Sequence, residues 1–390
     1  MTALDVDLER ELLGAPTASH QKVEIYSGVA RLAHTVWGSE VRRIGTAPKV
    51  AIMICHPTAN FLGHYALPGL ARRGFGAVGF TTRYVGNDTS LIMENCLVDM
   101  SAMVRHLYDR GYEKVVLVGN SGGASIVPYY QAQARTPTVT DPPGGGPDLT
   151  AEHLVPVDAV VFLNAHPSRA RLSTEWLDPS IIDEHQPFER DPTLDMFNPD
   201  NGPPFATEFI ARYRAAQLAR NRRISAWAEQ QLVAIRHPAH RPAGLDDLAF
   251  VVPGTGADLR FLDASIDPSD RQIGVTLWGP PHIANYMPAG ISRATTLRAW
   301  INQWSIDHTL ADSLRWLGDI HVPTCIVLGT ADPTVMPAMA QQMYDAAAAP
   351  ARQLAMVKGA THYFEGQPEL LDEALDCIAA FVEEHVAGRR

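Results

Sequence analysis

Cysteine is scarce in this chain, and its four copies, Cys55, Cys96, Cys325 and Cys377, lie far apart inside apolar segments. No CxxC pair occurs, so neither a zinc site nor a redox motif is indicated, and the thiols read as reduced core residues. Also missing is any apolar stretch long enough to span a membrane. The N-terminus, MTALDVDLERELLGAPTASH, has neither the basic start nor the apolar run of a secretory signal. From these absences we expect a cytoplasmic protein with no membrane partner. Positive charge is in deficit: 32 Lys and Arg against 43 Asp and Glu leave a formal charge of −11. A nucleic-acid partner usually needs a concentrated basic face, so none is expected. No repeat period is visible, which removes solenoids and propellers.

What is present suits a soluble globular protein, with 46% hydrophobic and 19% charged residues. At 390 residues the chain exceeds the usual single-domain range, so either two domains or one domain with a large insertion is expected. From Lys49 the sequence KVAIMICHP is a compact apolar run bounded by turn formers, as in a parallel strand covered on both faces. GAVGFTTR from Gly76 follows a helix-like stretch. The segment from Leu91 to Arg110 places apolar residues at helical spacing, with Gly111 as a stop, and KVVLVGNSGG from Lys114 comes next. Strand and helix alternate as in a doubly wound sheet, where ligands sit at the strand C-termini. DAVVFLNAHP from Asp158, TCIVLGTADP from Thr324 and RQLAMVKGATHYF from Arg352 continue the pattern, and a helix from Glu369 closes it.

Between His166 and Thr324 the composition changes to many Pro, Trp and Arg with no clear strand ladder. FATEFIARYRAAQLARNRRISAWAEQQLVAI from Phe205 reads as one long or two shorter helices, and TTLRAWINQWS from Thr295 as another. TPTVTDPPGGGPD from Thr136 reads as a surface excursion. The expected architecture is therefore α/β: a doubly wound, mostly parallel sheet formed by residues 1–166 and 318–390, with a mainly helical cap inserted as residues 167–317.

Gly119-Asn120-Ser121-Gly122-Gly123 fits G-x-S-x-G, and it falls between an apolar strand and a helical run, where that motif's chemistry requires it. Small neighbours let the strand reverse sharply into a helix while holding the serine in a strained conformation. Ser121 is the expected nucleophile. A serine hydroxyl needs a neighbouring base, and the base needs a group that fixes its tautomer. Asp332 stands directly after CIVLGTA and His362 after LAMVKGAT, both at strand ends. On these residues, and on GNSGG, GTADP and GATHYF, the sequence resembles the α/β-hydrolase superfamily over about residues 20–166 and 318–390. The resemblance implies acyl transfer through an acyl-enzyme, with Ser121 attacking, His362 relaying the proton and Asp332 orienting the imidazole. It implies no cofactor and no metal.

An oxyanion hole needs two N–H donors aimed at the developing charge. Gly122 should give one. The other should come from the loop after KVAIMIC, where many members carry His-Gly before the donor and this chain has His56-Pro57-Thr58. Pro57 has no N–H, which leaves Thr58 with Ala59 behind it, and His56 reads as a loop brace. Arg212, Arg214, Arg220, Arg222 and Arg223 read as a solvated helix face rather than an anion clamp. Trp278, His282, Tyr286 and Trp300 are candidates for lining an apolar pocket, and His166 for facing the cleft, though core packing is the commoner role for such residues.

The leading expectation is a carboxylic-ester hydrolase acting on a small molecule with an apolar portion, the insertion forming its lid. Thioester, aminoacyl amide as in proline iminopeptidase-like enzymes, and carbon–carbon bonds use the same triad. A ligand-binding protein on a hydrolase scaffold is the reading from a different class. The number of subunits, a homo-oligomer included, stays open.

Overall fold

The computed structural model describes residues 7–17, 35–237, 245–288 and 290–388. An eight-stranded sheet runs through it, made of β1 (Leu8–Pro16), β2 (Thr35–Arg43), β3 (Val50–Cys55), β4 (Gly76–Thr81), β5 (Lys114–Asn120), β6 (Ala159–Leu163), β9 (Thr324–Gly329) and β10 (Arg352–Val357), while β7 (Ala249–Val251) and β8 (Ala294–Thr296) form a separate pair. The strand order is β1-β2-β4-β3-β5-β6-β9-β10. From β4 to β10 all neighbours are parallel, and β1 and β2 add on antiparallel. Every residue of β3, β4, β6 and β9 is buried, which explains why these strands read as unbroken apolar runs.

Helices cover both faces. On one side α2 (Met93–Asp109), α3 (Val127–Arg135) and α9 (Pro337–Ala346) pack Leu97, Met100, Tyr130 and Met343 onto the sheet. On the other, α1 (Leu67–Arg72) and α10 (Pro368–His385) pack Leu67, Leu70, Leu375 and Ile378. The two N-terminal strands were not visible in the hydropathy pattern because they are rich in charge. Glu40 of β2 is nevertheless buried, and it is held by the Tyr112 hydroxyl at 2.5 Å and the Arg110 guanidinium at 3.3 Å. A buried carboxylate survives only with such partners.

Between β6 and β9 the chain leaves the sheet and forms α4 (Arg169–Trp176), the long α5 (Thr207–Arg236), the β7–β8 pair, and three short helices, α6 (Pro281–Ala284), α7 (Leu297–Ala299) and α8 (Ser313–Trp316). The stretch from Phe205 resolves as one helix of 30 residues. The stretch from Thr295 begins on β8 and is helical from Leu297, where a single α turn runs into a π-helical turn over Trp300–Trp304. The loop from Thr136 is also more than a surface excursion. Arg298 Nε donates to the Gly144 carbonyl at 2.7 Å and Asn302 Nδ2 to the Pro143 carbonyl at 2.9 Å, so the loop clasps the inserted segment. Asn302 also donates to buried Glu94 of α2 at 2.7 Å, and Ser313 Oγ to the Ala124 carbonyl at 2.6 Å. These bonds fix the insertion over the C-terminal edge of the sheet.

Candidate active site

Ser121 follows β5 directly, with φ of 53° in the left-handed region that side chains avoid. A 3₁₀ turn over Ser121–Ser125 and then α3 follow it. The strain is held from both sides. A Cβ on Gly123 would lie 2.0 Å from the Cys55 carbonyl oxygen, so only glycine lets the turn press against the end of β3. Asn120, one residue earlier, donates from Nδ2 to the Leu163 carbonyl at 2.8 Å and locks the tip of β5 to β6.

Asp332 sits three residues beyond β9 and is fully buried. Its Oδ1 accepts the N–H groups of Thr334 at 2.7 Å and Val335 at 2.9 Å, and its Oδ2 lies 2.6 Å from His362 Nδ1. The carboxylate thus presents one oxygen to the turn and the other to the imidazole. That pairing puts the His362 proton on Nδ1 and leaves Nε2 as an acceptor. Ser121 and His362 line the same cavity of about 230 Å³, and Ser121 Oγ has no hydrogen bond among the described residues.

Asn164, which carries no motif, holds this arrangement together. It directly follows β6 with φ of 44°, accepts the Gly329 N–H at 2.7 Å through Oδ1, and donates through Nδ2 to the His362 carbonyl at 2.9 Å. One side chain therefore ties the strand before Asp332 to the loop of His362. Only its position at a strand end could have drawn attention to it.

The cavity floor is rich in imidazole. His56 and His166 join His362 around Ser121, with Thr58, Ala59, Phe61 and Asn120 beside them. Loss of water pushes His166 down to about 3, and the nearby Arg169 charge adds to the effect. The same two causes, in the same order, hold His56 well below the ordinary histidine value. His64, behind the floor, is pushed to about 4 by burial.

Arg169 was not singled out in the sequence, yet it is a buried cation of the cavity wall. Its Nη2 bonds Asp88 at 2.6 Å, and its guanidinium lies 4.5 Å from the Trp304 ring centre. Leu172, Trp176, Leu277, Trp278, Ile291 and Trp304 supply the apolar wall, all from the inserted segment. Of the four aromatic candidates, Trp278 lines the cavity. Trp300 is buried elsewhere with its Nε1 on Ser225, while His282 and Tyr286 are exposed.

None of the arginines of the α5 row lines this cavity. Arg214, Arg220, Arg222 and Arg223 pair with Asp258, Glu184, Asp307 and Glu184. Arg220 departs from the expected solvated face: it is 1% exposed and also donates to the carbonyls of Asp178, Pro253 and Gly254. All four cysteines are free, three of them buried. Among the described residues no helix is long and apolar enough to cross a membrane.

Neither a scan of protein-family models nor a search of curated proteins found a match. Solved structures do match. A hypothetical protein from Pseudomonas aeruginosa superposes at a TM-score of 0.52 with 15% identity, over 98% of this chain and 96% of that one. The α/β hydrolase GrgF from Penicillium sp. sh18 also gives 0.52, at 12% identity, over 97% of this chain and 99% of that one. The chain has the α/β-hydrolase fold. Within that fold, Ser121 after β5 and His362 after β10 line one cavity, and Asp332 after β9 is buried behind His362, 2.6 Å from its Nδ1.

Proposed function

We propose that this α/β-hydrolase-fold protein is a serine hydrolase that cleaves a carboxylic ester of a small molecule through an acyl-enzyme on Ser121. The observation that carries the reading is the 2.6 Å bond between His362 Nδ1 and Asp332, beside a serine held in the left-handed region. Ser121 Oγ attacks the carbonyl carbon as its proton passes to His362 Nε2. The tetrahedral intermediate collapses, and the alcohol leaves with that proton. Water, deprotonated by His362, then attacks the acyl-enzyme and releases the acid. Asp332 keeps the imidazole in the accepting tautomer and stabilises it once charged. A serine–imidazole bond absent before substrate arrives is compatible with this role, because such bonds tighten in the substrate complex.

Residues 167–317 act in this reading as the cap. Their aromatic wall, and a cavity of about 230 Å³, suit a compact acyl group with an apolar face. Labelling with a fluorophosphonate tests the chemistry: wild-type protein should gain one adduct at Ser121, and Ser121→Ala none. A folded wild-type protein that stays unlabelled would sink the proposal. Esters of graded chain length, with thioesters and aminoacyl amides alongside, then decide the bond.

A further inference from the structure

The loop after β3 would ordinarily offer a backbone N–H to the oxyanion, but its two candidates are already engaged. Thr58 N–H donates to His56 Nδ1 at 3.1 Å, and Ala59 N–H donates to the same nitrogen at 2.9 Å. An imidazole nitrogen that accepts N–H groups carries no proton, so a neutral His56 must hold its proton on Nε2. Neutrality follows from the surroundings, since desolvation and the neighbouring Arg169 charge both disfavour the imidazolium.

The Nε2 atom is placed where a donor is wanted. It lies 2.9 Å from the point that a Cβ on Gly122 would occupy, and Gly122 is the residue after Ser121 whose own N–H is the first donor. No acceptor meets Nε2 among the described residues, and His56 lines the cavity. Arg169 Nη1 lies 3.4 Å from the same point, so a positive charge stands beside the place where negative charge would develop.

We infer that His56 donates its Nε2–H to the oxyanion, in the role that a backbone N–H of Thr58 was expected to fill. The inference rests on the acyl-transfer reading of Ser121. Under it, Pro57 is tolerated in the loop because no backbone donor is required there. The backbone amides serve instead to fix the tautomer of a side-chain donor.

Two substitutions separate donor from brace. His56→Asn sets an amide oxygen near the Nδ1 position, so it keeps the two loop bonds and loses the distal donor. His56→Gln reaches the Nε2 position with an amide N–H and loses the brace. For His56→Asn the inference expects kcat to fall on the order of 10²–10³-fold with KM within threefold and an unchanged melting temperature. His56→Gln should keep more kcat than His56→Asn while melting lower. Turnover of His56→Asn within threefold of wild type, or His56→Gln slower than His56→Asn, would overturn it. The ¹⁵N shifts of histidine-labelled wild-type protein give a readout that needs no variant: an Nε2–H tautomer at His56 supports the inference, and an Nδ1–H tautomer ends it. Failure here is distinct from failure of the hydrolase reading, which would show as wild-type protein that does not take the fluorophosphonate.

Discussion

The loops at the C-terminal edge of the sheet and the inserted segment face each other across one cavity, yet they are built by different means. On the sheet side Asp332, His362 and the loops that carry them are fixed by short, directional bonds: Asp332 to two turn amides, His362 to Asp332, Asn164 to both loops. On the inserted side the wall is mostly aromatic and aliphatic, and it is positioned by packing, as where Trp278 meets Trp176 edge-on at 5.4 Å. Hydrogen bonds specify a geometry to tenths of an ångström, whereas apolar packing tolerates a change of shape if volume is kept. The first side is suited to setting a reaction and the second to setting which molecule undergoes it.

The sharpest way to break that division is Asp332→Asn. Its Oδ1 would keep accepting the N–H groups of Thr334 and Val335, which turns the new NH₂ toward His362 Nδ1. That nitrogen must then accept, the proton moves to Nε2, and the base can no longer take the serine proton. We expect kcat to fall by roughly 10³–10⁴ with the melting temperature nearly unchanged. Unaltered turnover would show that the sheet side does not set the reaction through this pair.

A second test uses acid. His56, His64 and His166 all belong to the sheet side, and all three are held below the unfolded histidine value of about 6.5. Their folded forms stay neutral while the unfolded chain takes up protons, so their stability is fully present above about pH 6.5. It is lost as pH falls below that, toward about 4 for His64 and about 3 for His166, at up to about 1.4 kcal/mol per pH unit for each. Denaturant unfolding at pH 7, 6 and 5 should show this slope, and His64→Gln should make it shallower. A stability independent of pH over that window would contradict the burial argument.

How much of this was legible in the sequence follows the same line. The inner parallel strands could be read because burial on both faces leaves an apolar run, and Ser121, Asp332 and His362 could be picked out because each follows a strand, His362 after β10, an edge strand that is only partly buried. β1 and β2 could not, because their charges are satisfied by partners far along the chain, as Glu40 is by Tyr112. Asn164 and Arg169 escaped for that reason too: their partners, His362 and Asp88, are 198 and 81 residues away and no short motif links them. Thr58 could be placed in its loop by position, but whether its N–H was free depended on a ring orientation that sequence does not encode. The aromatics of residues 167–317 were visible as residue types, and which of them face the cavity was decided by long-range packing, as where Trp278 in a turn meets Trp176 of α4.

Trp278 offers the finest test of the comparison, because it lies on the tolerant side. It is partly buried, so removing its ring should enlarge the cavity without emptying the core of the insertion. For Trp278→Ala we expect the preferred acyl chain to lengthen and kcat/KM on the shortest esters to drop about tenfold, near 1.4 kcal/mol of lost contact. The rate of labelling by a small fluorophosphonate, which reports the Ser121–His362–Asp332 geometry, should change little. If the variant instead loses labelling while keeping its chain-length preference, then the wall positions the chemistry as well, and the two sides of the cavity are not separate in function.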